Sequence, residues 1–330
     1  MNKWIYVWSG CILLSCCGQK QASGNSEPIA VAATKTFSSP EFNRDSAYAY
    51  VARQVAFGPR VPNTPAHKAC ALWLAGELER FGAKIYVQEA TLTAYNGDRL
   101  EAKNIIGSFH PDKAKRVLLC AHWDTRPYSD RDEESNHHKP IDGADDGASG
   151  VGVLLEIARQ MSLNDTGIGV DILFFDAEDY GTPKFANESG EDTWWCLGSQ
   201  FWAKNPHTPN YRADYGILLD MVGARNATFY KESVSVYRAA PVVEKVWTTA
   251  RNLGYGRYFI NANGGAITDD HQFVMAGRGF PCIDIIHLNP DSPHGFGNHW
   301  HTQRDAMDNI DRETLNAVGQ TVLEVIYSEQ

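Results

Sequence analysis

The 330-residue chain predicts an α/β fold of three layers, α/β/α, around a mixed, mostly parallel central sheet. Three observations carry this expectation. Residues 117–121, 172–175, 217–219 and 282–286 are compact apolar runs, continuous rather than alternating, as strands covered on both faces must be. Segments with helical spacing lie between them, such as Val151, Leu154, Leu155, Ala158 and Met161 within 147–161. No internal repeat interrupts the alternation, which is the pattern of a layered α/β domain. With 43% hydrophobic and 11% aromatic residues, the chain can build a sizeable core.

Taken in order, the chain opens with an export signal over residues 1–15. Lys3 precedes an apolar run, 5–14, broken only by Ser9 and Gly10 and too short to span a bilayer as a mature helix. It ends in Leu13-Leu14-Ser15-Cys16, which resembles a bacterial lipoprotein signal, cut before a Cys that is then lipidated; an ordinary cleaved signal is the alternative. The expectation is an exported, periplasmic or cell-envelope protein, held to a membrane only through a lipid on Cys16. Residues 16–41, rich in Ser, Ala, Gln and Gly, read as a flexible tether, and residues 42–330 as a single domain.

Within the body, Thr64-Pro65 supplies a cap residue and a first-turn Pro for a helix ended by Gly82. Asn96-Gly97 between residues 84–94 and 99–109 is a hairpin signal. Residues 311–327, with Leu315, Val318, Val322 and Ile326 on one face, form the closing helix. The formal charge of -10 disfavours nucleic acid and anionic lipid headgroups as partners. Of seven cysteines, Cys70, Cys120, Cys196 and Cys282 fall in the body without a CxxC spacing, mostly in apolar runs, and read as buried free thiols.

Function is written at the strand ends. The apolar runs finish in His122-Trp123-Asp124, Asp176-Ala177-Glu178-Asp179, Asp220 and His287. Open α/β sheets place their sites there, and four exits rich in Asp, Glu and His suggest metal chemistry. His122 and Asp124 fit a His oriented by a carboxylate, or a strand-exit pair bound only to loop backbone. The glycines around Asp145-Asp146, from Gly143 to Gly150, let the backbone turn tightly and present a carboxylate at a helix start; a capping or calcium-type role is the bland alternative. Glu178 and Asp179 are neighbours that point apart, so one can hold metal while the other faces substrate. His301 sits in a Gly- and His-rich loop, 292–302, with no packing pattern of its own.

Asp146 in GADDGASG, Glu178-Asp179 in FFDAEDYG, Asp220 in LLDMVGA, Asp269-Asp270-His271 and His301 in HWHT follow one another in this order, after Gly58-Pro59-Arg60-Val61-Pro62. As a set, over about residues 42–329, they resemble the co-catalytic zinc aminopeptidase superfamily, and within it the animal-type glutaminyl-peptide cyclotransferases. The resemblance implies one zinc ion held by Asp146, Asp179 and His301, with Glu178 as acid–base carboxylate. Asp220 and Asp270 would complete its carboxylate network, and Trp300, with Trp194 or Trp195, would hold the substrate. Two positions depart from the pattern. Animal cyclases carry Glu where Asp179 stands, and His at the strand position of Asp284, which is read here as buried structure outside the site.

The implied reaction is cyclisation of N-terminal glutamine on peptides or proteins, with release of ammonia. The alternative is a di-zinc aminopeptidase, with a second zinc held by His122, Asp146 and Asp220, all of which are present. Three features favour the cyclase: the Trp before the His in HWHT, the Asn226-Ala227-Thr228-Phe229 stretch after LLDMVGA, and the tryptophans near the motifs. A non-catalytic binding module of the same fold would be expected to have lost ligands, and none is missing.

Overall fold

The Asn96-Gly97 turn joins β1 (Lys84–Thr93) and β2 (Arg99–Phe109) in an antiparallel hairpin, with Gly97 at φ +85°, the left-handed backbone that such a turn needs. The computed structural model describes Met1, residues 38–186 and residues 192–329. Met1 apart, the expected signal lies outside these residues, as do Cys16 and the expected tether as far as residue 37. Residues 38–41 run along the last helix, where the Ser38 and Ser39 N–H groups donate to the Glu324 carboxylate and Gln320 Nε2 donates to the Pro40 carbonyl.

The continuous apolar runs become β3 (Arg116–His122), β4 (Gly169–Phe175) and β5 (Tyr215–Asp220). The short β6 (Phe229–Lys231) and β7 (Phe259–Asn263) pair separately, and β8 (Cys282–Ile286) follows. The main sheet runs β1-β2-β4-β3-β5-β8, with β4, β3, β5 and β8 parallel and the hairpin antiparallel at one edge. It is mixed and mostly parallel, as expected.

Helices α1 (Arg44–Val55), α2 (Pro65–Arg80), α3 (Ala148–Leu163), α4 (Leu197–Lys204), α5 (Ser233–Leu253), α6 (Asp270–Arg278) and α7 (Arg312–Tyr327) complete the layers. Alternate sheet side chains serve two cores. Leu119, Ile172, Ile217 and Ile283 meet α1, α2, α3, α5 and α7. Leu118, Leu173, Leu218 and Cys282 meet α4 and α6 on the other face. Thr64 caps α2 through its Oγ1, and Asp311 caps α7. α5 is kinked at Ala239, two residues before Pro241, whose missing N–H breaks the helical ladder. Cys70, Cys120, Cys196 and Cys282 are buried free thiols. Among the described residues no helix is long and apolar enough to cross a membrane.

This topology places the carboxyl ends of β3, β4, β5 and β8 together, with the start of α3 beside them. Each brings its polar exit to the same end of the sheet.

Candidate metal centre

The exits are shaped by tight backbone turns. Ala177 after β4 and Met221 after β5 have φ of +51° and +48°, and His301 in its loop has +54°. Left-handed backbone at non-glycine residues is strained, and such strain clusters at functional sites. At Gly147 the left-handed φ of +97° and the close approach of the Asp124 carbonyl, 2.7 Å from where a Cβ would stand, leave room for glycine alone. The turn swings Asp146 into the centre of the sheet's carboxyl edge.

There Asp146, Asp179 and His301 converge, all buried. His301 Nε2 lies 3.3 Å from Asp179 Oδ1 and 3.6 Å from Asp146 Oδ2. Its other ring nitrogen faces Asp130 Oδ1 at 3.5 Å, a carboxylate–His arrangement that directs Nε2 to the centre. Asp179 Oδ2 is buried without a hydrogen-bond partner. Two carboxylates turned toward one imidazole nitrogen, one of them with an orphaned oxygen, are a donor set that a divalent cation satisfies. Three protein donors is the number that catalytic zinc sites use, where structural sites use four.

The second trio also forms. His122 Nε2 lies 3.0 Å from Asp146 Oδ1 and 3.2 Å from Asp220 Oδ1, so Asp146 stands between both sets. His122 Nδ1 faces Asp124 at 3.4 Å. The same Asp124 carboxylate accepts the backbone N–H groups of Glu178, at 3.1 Å, and Asp179, at 3.2 Å. One buried carboxylate therefore orients the imidazole of β3 and the turn after β4.

A cavity of about 250 Å³ opens beside the trio. Asp146, Glu178, Asp179, Asp220 and His301 line one side, and Trp195, Ile267, Phe296 and Trp300 wall the other. Burial, with the charges of Asp179, Asp269 and Asp270 added and His122 opposing, pushes the Glu178 carboxyl well above the usual carboxylate range. Burial likewise raises Asp220 to about 6 and Asp269 to about 7. A carboxyl that holds its proton near neutral pH can both give and take one.

Of the expected site residues, Asp146, Glu178, Asp179, Asp220, Trp195, Trp300 and His301 all face this cavity. Trp194 is not among its lining residues, and Trp195 takes that wall, stacked over Arg126 at 4.7 Å and parallel to His301. Asp270 is fully buried at the start of α6, while its neighbour Asp269 lines the cavity. Asp284, left outside the site by the sequence reading, is buried in β8 and lies 3.9 Å from His271 Nδ1.

Sequence reasoning missed three supports. Buried Arg126 pairs with Asp130 through Nε at 2.7 Å and donates to the Asp179 carbonyl at 3.0 Å. Asp305 accepts the N–H groups of Asp145 and Asp146, at 2.7 and 3.1 Å, and so fixes the turn that carries Asp146. Asp145 holds His299 at 2.8 Å and the Gly223 N–H at 2.7 Å. All lie in loops without periodicity, where no spacing betrays a partner far along the chain.

Residues 104–326 match peptidase family M28. A glutaminyl cyclase of Tannerella forsythia, solved as a crystal structure, is 69% identical, covers 88% of this chain and 100% of its own, and superposes with a TM-score of 0.87. A Zn-dependent exopeptidase from Parabacteroides distasonis is also 69% identical, with 87% of this chain and 99% of that chain covered and a TM-score of 0.86. The glutaminyl-peptide cyclotransferase of Bothrops jararaca is 28% identical over 300 residues, 82% of this chain and 77% of its own. The resemblance read from the motifs is thereby borne out. The match takes in the carboxyl ends of β3, β4, β5 and β8 and the loop of His301, and the chain belongs to peptidase family M28.

Proposed function

We propose that the protein is a glutaminyl-peptide cyclotransferase, closing the N-terminal glutamine of a peptide or protein into pyroglutamate with release of ammonia. The observation that carries this reading is the position of Glu178, a carboxyl of raised proton affinity on the wall of a small aromatic cavity beside the Asp146–Asp179–His301 trio. At about 250 Å³ the cavity is smaller than the roughly 300–1,000 Å³ of pockets for drug-sized ligands, which suits a single side chain. The close relationship to the Tannerella forsythia glutaminyl cyclase supports the same substrate.

Asp146, Asp179 and His301 would hold one zinc ion, which supplies Lewis-acid polarisation of the γ-carbonyl. Trp300 and Trp195 hold the glutamine side chain bent toward its own amine, so that ring closure benefits from effective molarity. Glu178 takes a proton from the α-amine as its nitrogen bonds to Cδ, the carbonyl carbon of the side-chain amide. It returns that proton to the departing nitrogen as the carbon–nitrogen bond of the side-chain amide breaks and ammonia leaves. Such shuttling is typically worth about 10²–10⁴-fold. Burial, with the charges of Asp179, Asp269 and Asp270, raises the proton affinity of the Glu178 carboxylate, so it can take the amine's proton and hold it until the nitrogen departs.

A second reading, a two-zinc aminopeptidase, is favoured by the completeness of the His122–Asp146–Asp220 trio. The two separate by product. Zinc-loaded protein incubated with glutaminyl peptides should release ammonia and no free amino acid. Free amino acid from aminoacyl chromogenic amides, without ammonia from glutaminyl peptides, would overturn the cyclase reading. The amino-terminal sequence supports export and attachment to a bacterial envelope through a lipid on Cys16. Intact-mass measurement of the mature protein tests this, and a first residue other than a lipidated Cys16 refutes it.

A further inference from the structure

We infer that Cys196 is a positioning residue for the reaction: its thiol, hydrogen bonded to Glu178 Oε1, fixes the carboxyl so that Oε2 is the oxygen turned to the substrate. The inference rests on Glu178 as the proton carrier.

The Cys196 Sγ–H donates to Oε1 at 3.2 Å. A glutamate side chain has several free torsions, and proton transfer to a small bound group tolerates little misplacement. With Oε1 taken by the thiol, the carboxyl plane is set and Oε2 is left for the amine. The thiol is built into this place. The Cys196 N–H donates to the Glu178 carbonyl at 2.9 Å, and the Leu197 N–H to the Ala177 carbonyl at 3.0 Å. These bonds lace the start of α4 to the turn after β4. Both strands of the lace carry left-handed backbone, at Ala177 (φ +51°) and at Cys196 (φ +57°). Gly198 approaches so closely that a Cβ there would stand 2.1 Å from the Asp176 carbonyl. Cys196 is fully buried and has no disulfide partner. Burial, then the charge of Glu178, raises its thiol well above the ordinary range, so it keeps the proton it donates. Asp269, which also lines the cavity, completes a cluster with Glu178 and Cys196 in which the three polar atoms lie within 4.8 Å of one another. Its Oδ2 has no hydrogen-bond partner. Cys196 is thus the neutral donor in an acidic cluster, where a third carboxylate would repel Glu178.

The test compares Cys196→Ala and Cys196→Ser in the full, zinc-loaded protein. Both keep the Cβ and therefore the backbone strain, and Ser restores a donor. The alanine variant should lose about five- to twenty-fold in kcat with KM within about twofold of wild type and equal zinc content. The serine variant should return to within about threefold of the wild-type kcat. An alanine variant with kcat within about twofold of wild type, or a serine variant as slow as the alanine one, overturns the inference. Each ratio is taken on whichever N-terminal substrate the wild type turns over. Failure of the wild type on glutaminyl peptides then counts against the cyclase reading and not against the thiol.

Discussion

Asp146 Oδ1 lies 3.0 Å from His122 Nε2, while the other oxygen of the same carboxylate faces His301. This shared carboxylate makes metal stoichiometry the most direct measurement on the site. In the cyclase reading one zinc binds per chain. His301→Ala should lose it, while His122→Ala should keep it, with both contents measured by atomic emission after dialysis. Equal zinc in wild type and His301→Ala would remove His301 from the ligands. Two zinc ions per wild-type chain would move the assignment to the peptidase.

Replacing Glu178 by Gln preserves size and shape but ends proton exchange. Glu178→Gln should retain zinc and an unchanged melting temperature, and should lose about 10²-fold or more in kcat. Ammonia release near the wild-type rate would show that another group carries the proton.

How much of this was legible in the sequence depended on range. The hairpin at Asn96-Gly97 and the cap at Thr64 are local, and both formed where turn and capping chemistry place them. The strand exits were readable because continuous apolar runs end abruptly in Asp, Glu or His. Choosing between adjacent residues was harder. Trp194 and Trp195, or Asp269 and Asp270, differ only in which way a turn presents them, and backbone angles set that. The supports were hidden for another reason. Asp305 reaches Asp145 and Asp146 across 160 and 159 residues, and buried Arg126 sits in a loop whose composition suggests a solvated charge. The small β6–β7 sheet is too short to leave a periodic signal.

Asp124 binds two backbone N–H groups and faces His122 with no exposure to solvent. In Asp124→Asn one acceptor oxygen becomes an NH₂ donor, so one of the N–H groups of Glu178 and Asp179 meets another donor. Leaving a buried partner unsatisfied costs about 1–3 kcal/mol. Urea unfolding should show that loss, with kcat reduced because the Glu178 turn shifts. A variant within about 0.5 kcal/mol of wild type would show that the turn holds itself.

The buried carboxyls give the metal-free protein an unusual pH dependence. Burial, with neighbouring acids, raises Asp220 to about 6 and Asp269 and Asp305 to about 7. A folded-state value above the unfolded one means that the native protein binds more protons, so its stability falls as pH rises from about 4 to 7. His122 and His301, raised by their carboxylate partners against burial, act in the same sense at higher pH. His207 and His287, lowered by burial, oppose the trend only up to about pH 6.5. In chelator the melting temperature should therefore drop by about 5 °C or more between pH 5.5 and 8. Zinc should reverse the drop, because the cation supplies the positive charge that protons supply without it. It should also release protons on binding, measurable by titration in buffers of different ionisation enthalpy. A metal-free protein as stable at pH 8 as at pH 5.5 would mean that these carboxyls are ionised throughout, and that the acidic cavity is balanced by some other charge.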